Sequence, residues 1–317
     1  FATNHLTFAL KATENPNGVN PLINLLKSGK LSKSDERDTL ILIAEAGSPQ
    51  HLNYILERTL DPKTNKTDKI FLVQQMNQAS RVRNVKPSSN PERLIRLVES
   101  GPDEIRYHVA LVLGNWRLNS ARKSLEKLAR EEKTERELRQ AALKGLSDLG
   151  GSESLRILRE LATPDNPLPT RSMAAASMVS LSVSTASKLA TDLLGQIEIA
   201  SDAAPIFEAF LKESTGPQLL ARELKDKQIS PEVAIMGIRK AAGTGKRSDE
   251  LVKALTTSAG LKPMDQQLSD KAMDALIKKV RTVGNPARGE AVYRREALAC
   301  LNCHAIGGSG PIIGPDL

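Results

Sequence analysis

Aromatic side chains are nearly missing from this chain of 317 residues: phenylalanine, tyrosine and tryptophan together make up 3% of it. Since 40% of the residues are nonetheless hydrophobic, the core must be built from aliphatic side chains and alanine. That composition suits stacked short helices and argues against a β-sandwich. Cysteine is just as scarce. The chain has two, Cys300 and Cys303, and no second pair to complete a four-ligand zinc site. No apolar run reaches the length needed to cross a bilayer, and the stretch from Phe1 to Pro16 lacks the basic start and apolar block of a signal peptide. The opening residue is Phe1 rather than methionine, as expected of a processed end or a segment of a longer protein.

What is abundant is charge, with a formal net of +8. A basic balance can mark a nucleic-acid or acidic partner. Here Lys and Arg are interleaved with Glu and Asp, as between Ala121 and Gln140 (ARKSLEKLAREEKTERELRQ). Such mixing belongs to solvated helix faces with i,i+4 pairing, and no nucleic-acid partner is expected.

From Asn4 to about Val283 short amphipathic stretches alternate with breaks such as EAGSPQ, LGGSES and ATPDNPLP. Three arginines, Arg106, Arg139 and Arg171, set the stretches in register. Each is followed at the third and fourth positions by small or apolar residues: Val109/Ala110, Ala142/Leu143 and Ala174/Ala175. Leu113, Leu146 and Met178 stand at the seventh position. Leu128, Leu161 and Leu193 come later, in a second helix of each unit. Arg37, with Leu40/Ile41 and Ala44, fits the first-helix template. The segment from Thr59 to Pro91 is less regular and is expected to hold longer loops on one edge of the array. A spacing of about 33 residues is that of a helical solenoid, and the arginines are expected to be structural, bonding the neighbouring turn.

This pattern resembles HEAT repeats, which implies an all-α fold: a solenoid over residues 1–283 whose extended surface suits a protein partner or another domain of the same polypeptide. Several lesser motifs carry no function. Ala241 to Ser248 (AAGTGKRS) imitates a phosphate loop, but Lys240 stands where its first glycine belongs and Arg247 replaces the Ser or Thr that holds magnesium. Asn65 opens a glycosylation-like triplet of a kind common by chance. His51 and His108 lie on expected helices without a ligand partner at metal-binding spacing, and no nucleophile elbow supports a Ser-His-Asp site.

Residues 284–317 differ in kind. Cys300-Leu301-Asn302-Cys303-His304 matches C-x-x-C-H, the attachment sequence of haem c. Residues three apart on a helical turn share a face, so both thiols can reach one side of a porphyrin, and the adjacent imidazole can bind the iron. A redox disulfide, half of a zinc site and coincidence are the alternatives. The flanking residues resemble the first half of a class I cytochrome c: Gly289 with Ala291, Val292 and Tyr293 matches the opening of its first helix, and Gly314-Pro315-Asp316-Leu317 matches the segment after its glycine-rich loop. The resemblance implies that Cys300 and Cys303 anchor haem c, His304 is the proximal iron ligand, Pro315 orients His304 and Leu317 lines the pocket. No methionine follows to supply a sixth ligand, so the cytochrome segment reads as incomplete, and this truncated form need not hold haem c.

Helical repeats followed by such a segment resemble the PVC-type haem-binding proteins of planctomycete and verrucomicrobial bacteria. That resemblance implies an electron-transfer segment: a repeat scaffold whose haem c relays electrons from an upstream dehydrogenase-like domain, with export to the periplasm. No catalytic residue is assigned in the chain. The rival expectation is a HEAT-repeat interaction scaffold whose cysteines carry no haem. The oligomeric state is open.

Overall fold

Helix starts in this chain are chemically marked. Ser32, Asn65, Ser182 and Ser230 each accept a hydrogen bond from the backbone N–H three residues on, satisfying one of the donors that a first turn leaves unpaired. Pro49 and Pro231 occupy first helical positions, where the missing N–H costs nothing. The computed structural model describes residues 16–244, 248–261, 270–295, 301 and 304–308, and no strand occurs among them.

The chain divides into two compact units, one through Leu261 and one from Lys262. In the first, helices alternate between two layers. One layer contains α2 (Lys33–Ala46), α4 (Lys66–Arg83), α6 (Asp103–Asn115), α8 (Arg136–Leu149), α10 (Leu168–Met178), α12 (Ala200–Lys212) and α14 (Pro231–Ala242), each packed on the next. The other contains α1 (Asn20–Lys27), α3 (Pro49–Leu60), α5 (Ile95–Ser100), α7 (Arg122–Arg130), α9 (Gly151–Leu161), α11 (Val183–Leu194), α13 (Gly216–Glu223) and α15 (Asp249–Ser258). α2, α8, α10, α12 and α14 also pack on the second-layer helix that follows each, and α4, α6, α8 and α10 on the one that precedes each. This is an α-solenoid of stacked helix pairs with one continuous core, as the repeat register predicts.

The register residues form that core. Val109, Ala110, Ala142, Leu143, Ala174 and Ala175 are buried, as are Leu113, Leu146 and Met178 and the second-helix leucines Leu128, Leu161 and Leu193. Each buried leucine contributes about 1.5–3 kcal/mol relative to an exposed one. Small residues set how closely the layers approach: a Cβ on Gly114 would lie 2.6 Å from Gly145 Cα, and one on Gly145 would lie 2.7 Å from the Ala110 carbonyl oxygen. The backbones of α6 and α8 therefore meet where only glycine fits.

Two expectations differ from the structure. The segment from Thr59 to Pro91, expected to hold longer loops, is mostly α4, an 18-residue helix. Its buried stripe of Leu72, Val73, Met76, Ala79 and Ser80 follows helical spacing, but the polar residues between them conceal it from a reading by composition. The Arg37 unit fits its template only in part: Leu40 and Ala44 are buried, yet Leu42 and Ile43 are buried as well and Ile41 is only half-buried.

The second unit contains α16 (Asp270–Val283) and α17 (Pro286–Tyr293), neither with a buried residue. The sequence pattern runs the repeats on to Val283, and α16 belongs to the second compact unit. Asn285 caps α17 by accepting from Arg288 N–H at 2.9 Å. Farther on, Gly307 and Gly308 both take positive φ, at 58° and 76°.

Candidate functional site

The three register arginines occupy one structural role. Arg106 Nε donates to the Val98 carbonyl at 3.0 Å, near the end of α5. Arg139 Nη2 donates to the Glu131 carbonyl at 2.7 Å, just past α7. Arg171 Nε donates to the Ala162 carbonyl at 3.4 Å, just past α9. Each guanidinium thus satisfies a carbonyl that the preceding second-layer helix leaves unpaired. Each also reaches forward: Arg106 to Glu131 at 3.1 Å, Arg139 to Thr170 Oγ1 at 2.7 Å and Arg171 to Gln196 Oε1 at 3.2 Å. A guanidinium has several donors in a fixed fork, so one side chain can tie two consecutive repeats. Arg37 departs from this role. It pairs with Asp68 at 3.2 Å and lies over the Phe71 ring.

A second set of cations serves other helix ends. Arg83 Nη2 donates to the Ala44 carbonyl at 2.7 Å, Lys86 Nζ to the Trp116 carbonyl at 3.2 Å and Arg122 Nη1 to the Gly150 carbonyl at 3.2 Å. Burial holds the Arg83 pKa below the ordinary arginine value, with Glu45 acting the other way. Beside these ends lies a cavity of about 640 Å³ lined by Ser80, Asn84, Lys86, Asn115, Trp116 and Arg117. No sequence motif marks these residues, and the single tryptophan of the chain is their one local signal.

The histidines are structural in arrangement. His51 Nδ1 accepts from Ser48 N–H at 3.0 Å, and its Nε2 lies 2.8 Å from Asn20 Oδ1, which places the proton on Nε2. Burial lowers the His51 pKa, and burial lowers that of His108 as well. The phosphate-loop imitation joins α14 to α15; its residues 245–247 lie outside the described ones.

A concave surface lies between α13 and α15. It is a groove of about 900 Å³ with Ala221, Ile229 and Ala254 in its lining and Arg222, Lys225 and Lys253 around them. Among the described residues, Lys225 and Lys253 form no ion pair. Among the described residues, no group of three or more His, Cys, Asp or Glu could hold a metal ion.

Of the residues expected to carry haem, His304 is described and half-buried, next to the buried Ala305. Cys300, Cys303, Pro315 and Leu317 lie outside the described residues, so their juxtaposition with His304 rests on the sequence. Two thiols and an adjacent imidazole are the right donor set in kind for haem c.

A family model for HEAT repeats matches residues 90–179, the stretch that contains the ladder arginines Arg106, Arg139 and Arg171. No curated protein matches the chain. No helix among the described residues is long and apolar enough to cross a membrane.

Proposed function

We propose that the solenoid is a scaffold that holds a protein partner, or a neighbouring domain of the same polypeptide, along its helix layers. The observation that carries this reading is the arginine ladder. Each rung bonds the preceding second-layer helix and the following repeat, which fixes the spacing between repeats and keeps an extended surface rigid. Rigidity lowers the ordering cost of binding. The α13–α15 groove, with apolar lining and unpaired lysines, is the place where a partner segment would lie. Photo-crosslinkers at Lys225 and Lys253 in the full polypeptide test this. A single discrete adduct, lost when a bulky charge is placed at Ala254, is the expected result; no adduct, or a heterogeneous smear insensitive to Ala254, overturns it.

A second reading is favoured by the C-x-x-C-H motif and its Gly314-Pro315-Asp316-Leu317 flank: the tail attaches haem c, and the scaffold positions an electron-transfer group in an exported protein. Cys300 and Cys303 would hold the group, and His304 would ligate its iron, with Pro315 orienting the imidazole and Leu317 packing on the ring. When bound, the group supplies reversible one-electron transfer. The protein's part is to anchor, orient and shield. Co-expression with haem-attachment machinery should yield a covalent, reducible Soret-absorbing species that Cys300→Ala and Cys303→Ala abolish. A colourless protein would sink this reading and leave the scaffold intact.

A further inference from the structure

The groove between α13 (Gly216–Glu223) and α15 (Asp249–Ser258) is lined by residues of the first unit throughout. Each helix gives it one face. Gln218, Ala221, Arg222 and Lys225 follow the spacing i, i+3, i+4, i+7 along α13 and its following turn, and Glu250, Lys253, Ala254 and Thr257 follow it along α15. Ala221 and Ala254 leave room between the two faces, and the buried Ile229 adds to the apolar bed. An extended main chain with small side chains fits such a trough.

The charge around the bed is unbalanced. Four cations, Arg222, Lys225, Lys227 and Lys253, stand beside two carboxylates, Asp226 and Glu250. Glu250 is in the first turn of α15, where the helix dipole offsets it. Arg222 pairs with the adjacent Glu223 at 3.0 Å and Lys227 with Asp192 at 2.8 Å. Both cations are exposed, and such pairs contribute little. Elsewhere the second layer is bridged by its own charges: Glu57 of α3 to Arg93 just before α5, and Arg130 of α7 to Glu160 of α9 at 2.9 Å. Among the described residues no ion pair crosses from α13 to α15, and Lys225 and Lys253 have no charged partner. The complement must therefore be acidic. Residues 262–317 of the chain do not supply it, having eight Lys and Arg against six Asp and Glu. A phosphate backbone would bring charge but nothing for the alanine bed.

Resting on the scaffold reading, we propose that this groove binds an acidic, extended segment of a partner polypeptide, with small side chains in the trough between Ala221 and Ala254 and carboxylates on Lys225 and Lys253.

The test is fluorescence anisotropy on the full chain with two fluorescein-labelled peptides, one alternating Glu with Ala and one alternating Lys with Ala. The Glu peptide should bind saturably, one per chain, and more weakly as salt rises, whereas the Lys peptide should not bind. Lys225→Glu with Lys253→Glu should weaken the Glu peptide about tenfold or more. Lys123→Glu with Lys127→Glu on α7 lowers the net charge by the same amount and should leave binding unchanged. All four lysines are exposed, so both variants should keep the wild-type unfolding midpoint. A Glu peptide that does not bind, equal binding of the two peptides, or an equal loss in the two variants overturns the inference. So does a discrete photo-adduct at Lys225 or Lys253 that excess Glu peptide fails to compete away; that result leaves the scaffold reading standing, while the absence of both adduct and peptide binding removes the two together.

Discussion

Arg136 Nη1 lies 2.6 Å from Asp202 Oδ1, although the two residues belong to α8 and α12 and the α10 repeat intervenes. In a solenoid each repeat ordinarily touches only its neighbours. Here α10, with 11 residues, is shorter than α8 and α12 at 14 and 13. Arg136 Nη2 also donates to the Ser201 carbonyl at 3.1 Å, while Ser172 Oγ of α10 bonds the Asp202 carbonyl. The N-terminal halves of three consecutive first-layer helices are thereby tied together.

The two halves of this pair should not be equivalent. The Asp202 side chain is 11% exposed and that of Arg136 41%. Arg136→Ala leaves a nearly buried carboxylate without its counter-charge and should cost about 1–3 kcal/mol. Asp202→Asn frees a guanidinium that water can solvate and should cost less. Urea denaturation of both single variants and the double variant measures the coupling; equal losses would contradict the asymmetry.

The ladder should require the guanidinium rather than its charge. Arg139 bonds Thr170 Oγ1 and the carbonyls of Glu131, Glu132 and Thr134. A lysine cannot span that set, so Arg139→Lys should lose about 1–2 kcal/mol. Arg156→Lys is the control. Its partners Glu153 and Glu160 are exposed pairs on the same helix surface, and thermal unfolding should not move measurably.

Gly145→Ala should destabilise, against its helix propensity. Alanine favours a helix interior by about 1 kcal/mol, but the new Cβ would lie 2.7 Å from the Ala110 carbonyl oxygen. Forcing α6 and α8 apart should leave a net loss of about 1–3 kcal/mol. A gain in stability would show that the two helices can separate at no cost.

Acidification should weaken the first repeats through His51. Its Nδ1 accepts from Ser48 N–H, so protonation breaks the N-terminal cap of α3. Because burial lowers the folded pKa, the unfolded chain takes up the proton first, and its pKa is the ordinary 6.5. The stabilisation is therefore full above 6.5 and falls as the pH drops below it toward the lowered folded value. His108, whose pKa is lowered by burial too, adds in the same direction. In His51→Gln the midpoint of chemical denaturation should depend less steeply on pH between 6.5 and 5.

The periodic part of the fold was legible in the sequence because each repeat restates the same physical demand. An arginine, a small pair, an apolar seventh position and a later leucine recur wherever a first-layer helix must meet its neighbour and cap the helix before it. The α4 helix escaped this reading since its buried stripe is embedded among Lys, Gln, Asn and Arg, and the His51 cap escaped because histidine in a capping box has no distinctive local pattern. For the expected haem site, the C-x-x-C-H motif with its flanking glycines and proline carries the whole case.

Aliphatic composition and the 33-residue register by themselves determined an all-α repeat fold, its core and the structural role of its arginines, since helical spacing converts sequence distance directly into a shared face. Tertiary structure alone decided the Gly114–Gly145 approach and the Arg136–Asp202 tie across an intervening repeat. These depend on how far apart whole helices come to rest and how long each one is, quantities fixed by packing many side chains at once and held in no local stretch of the chain.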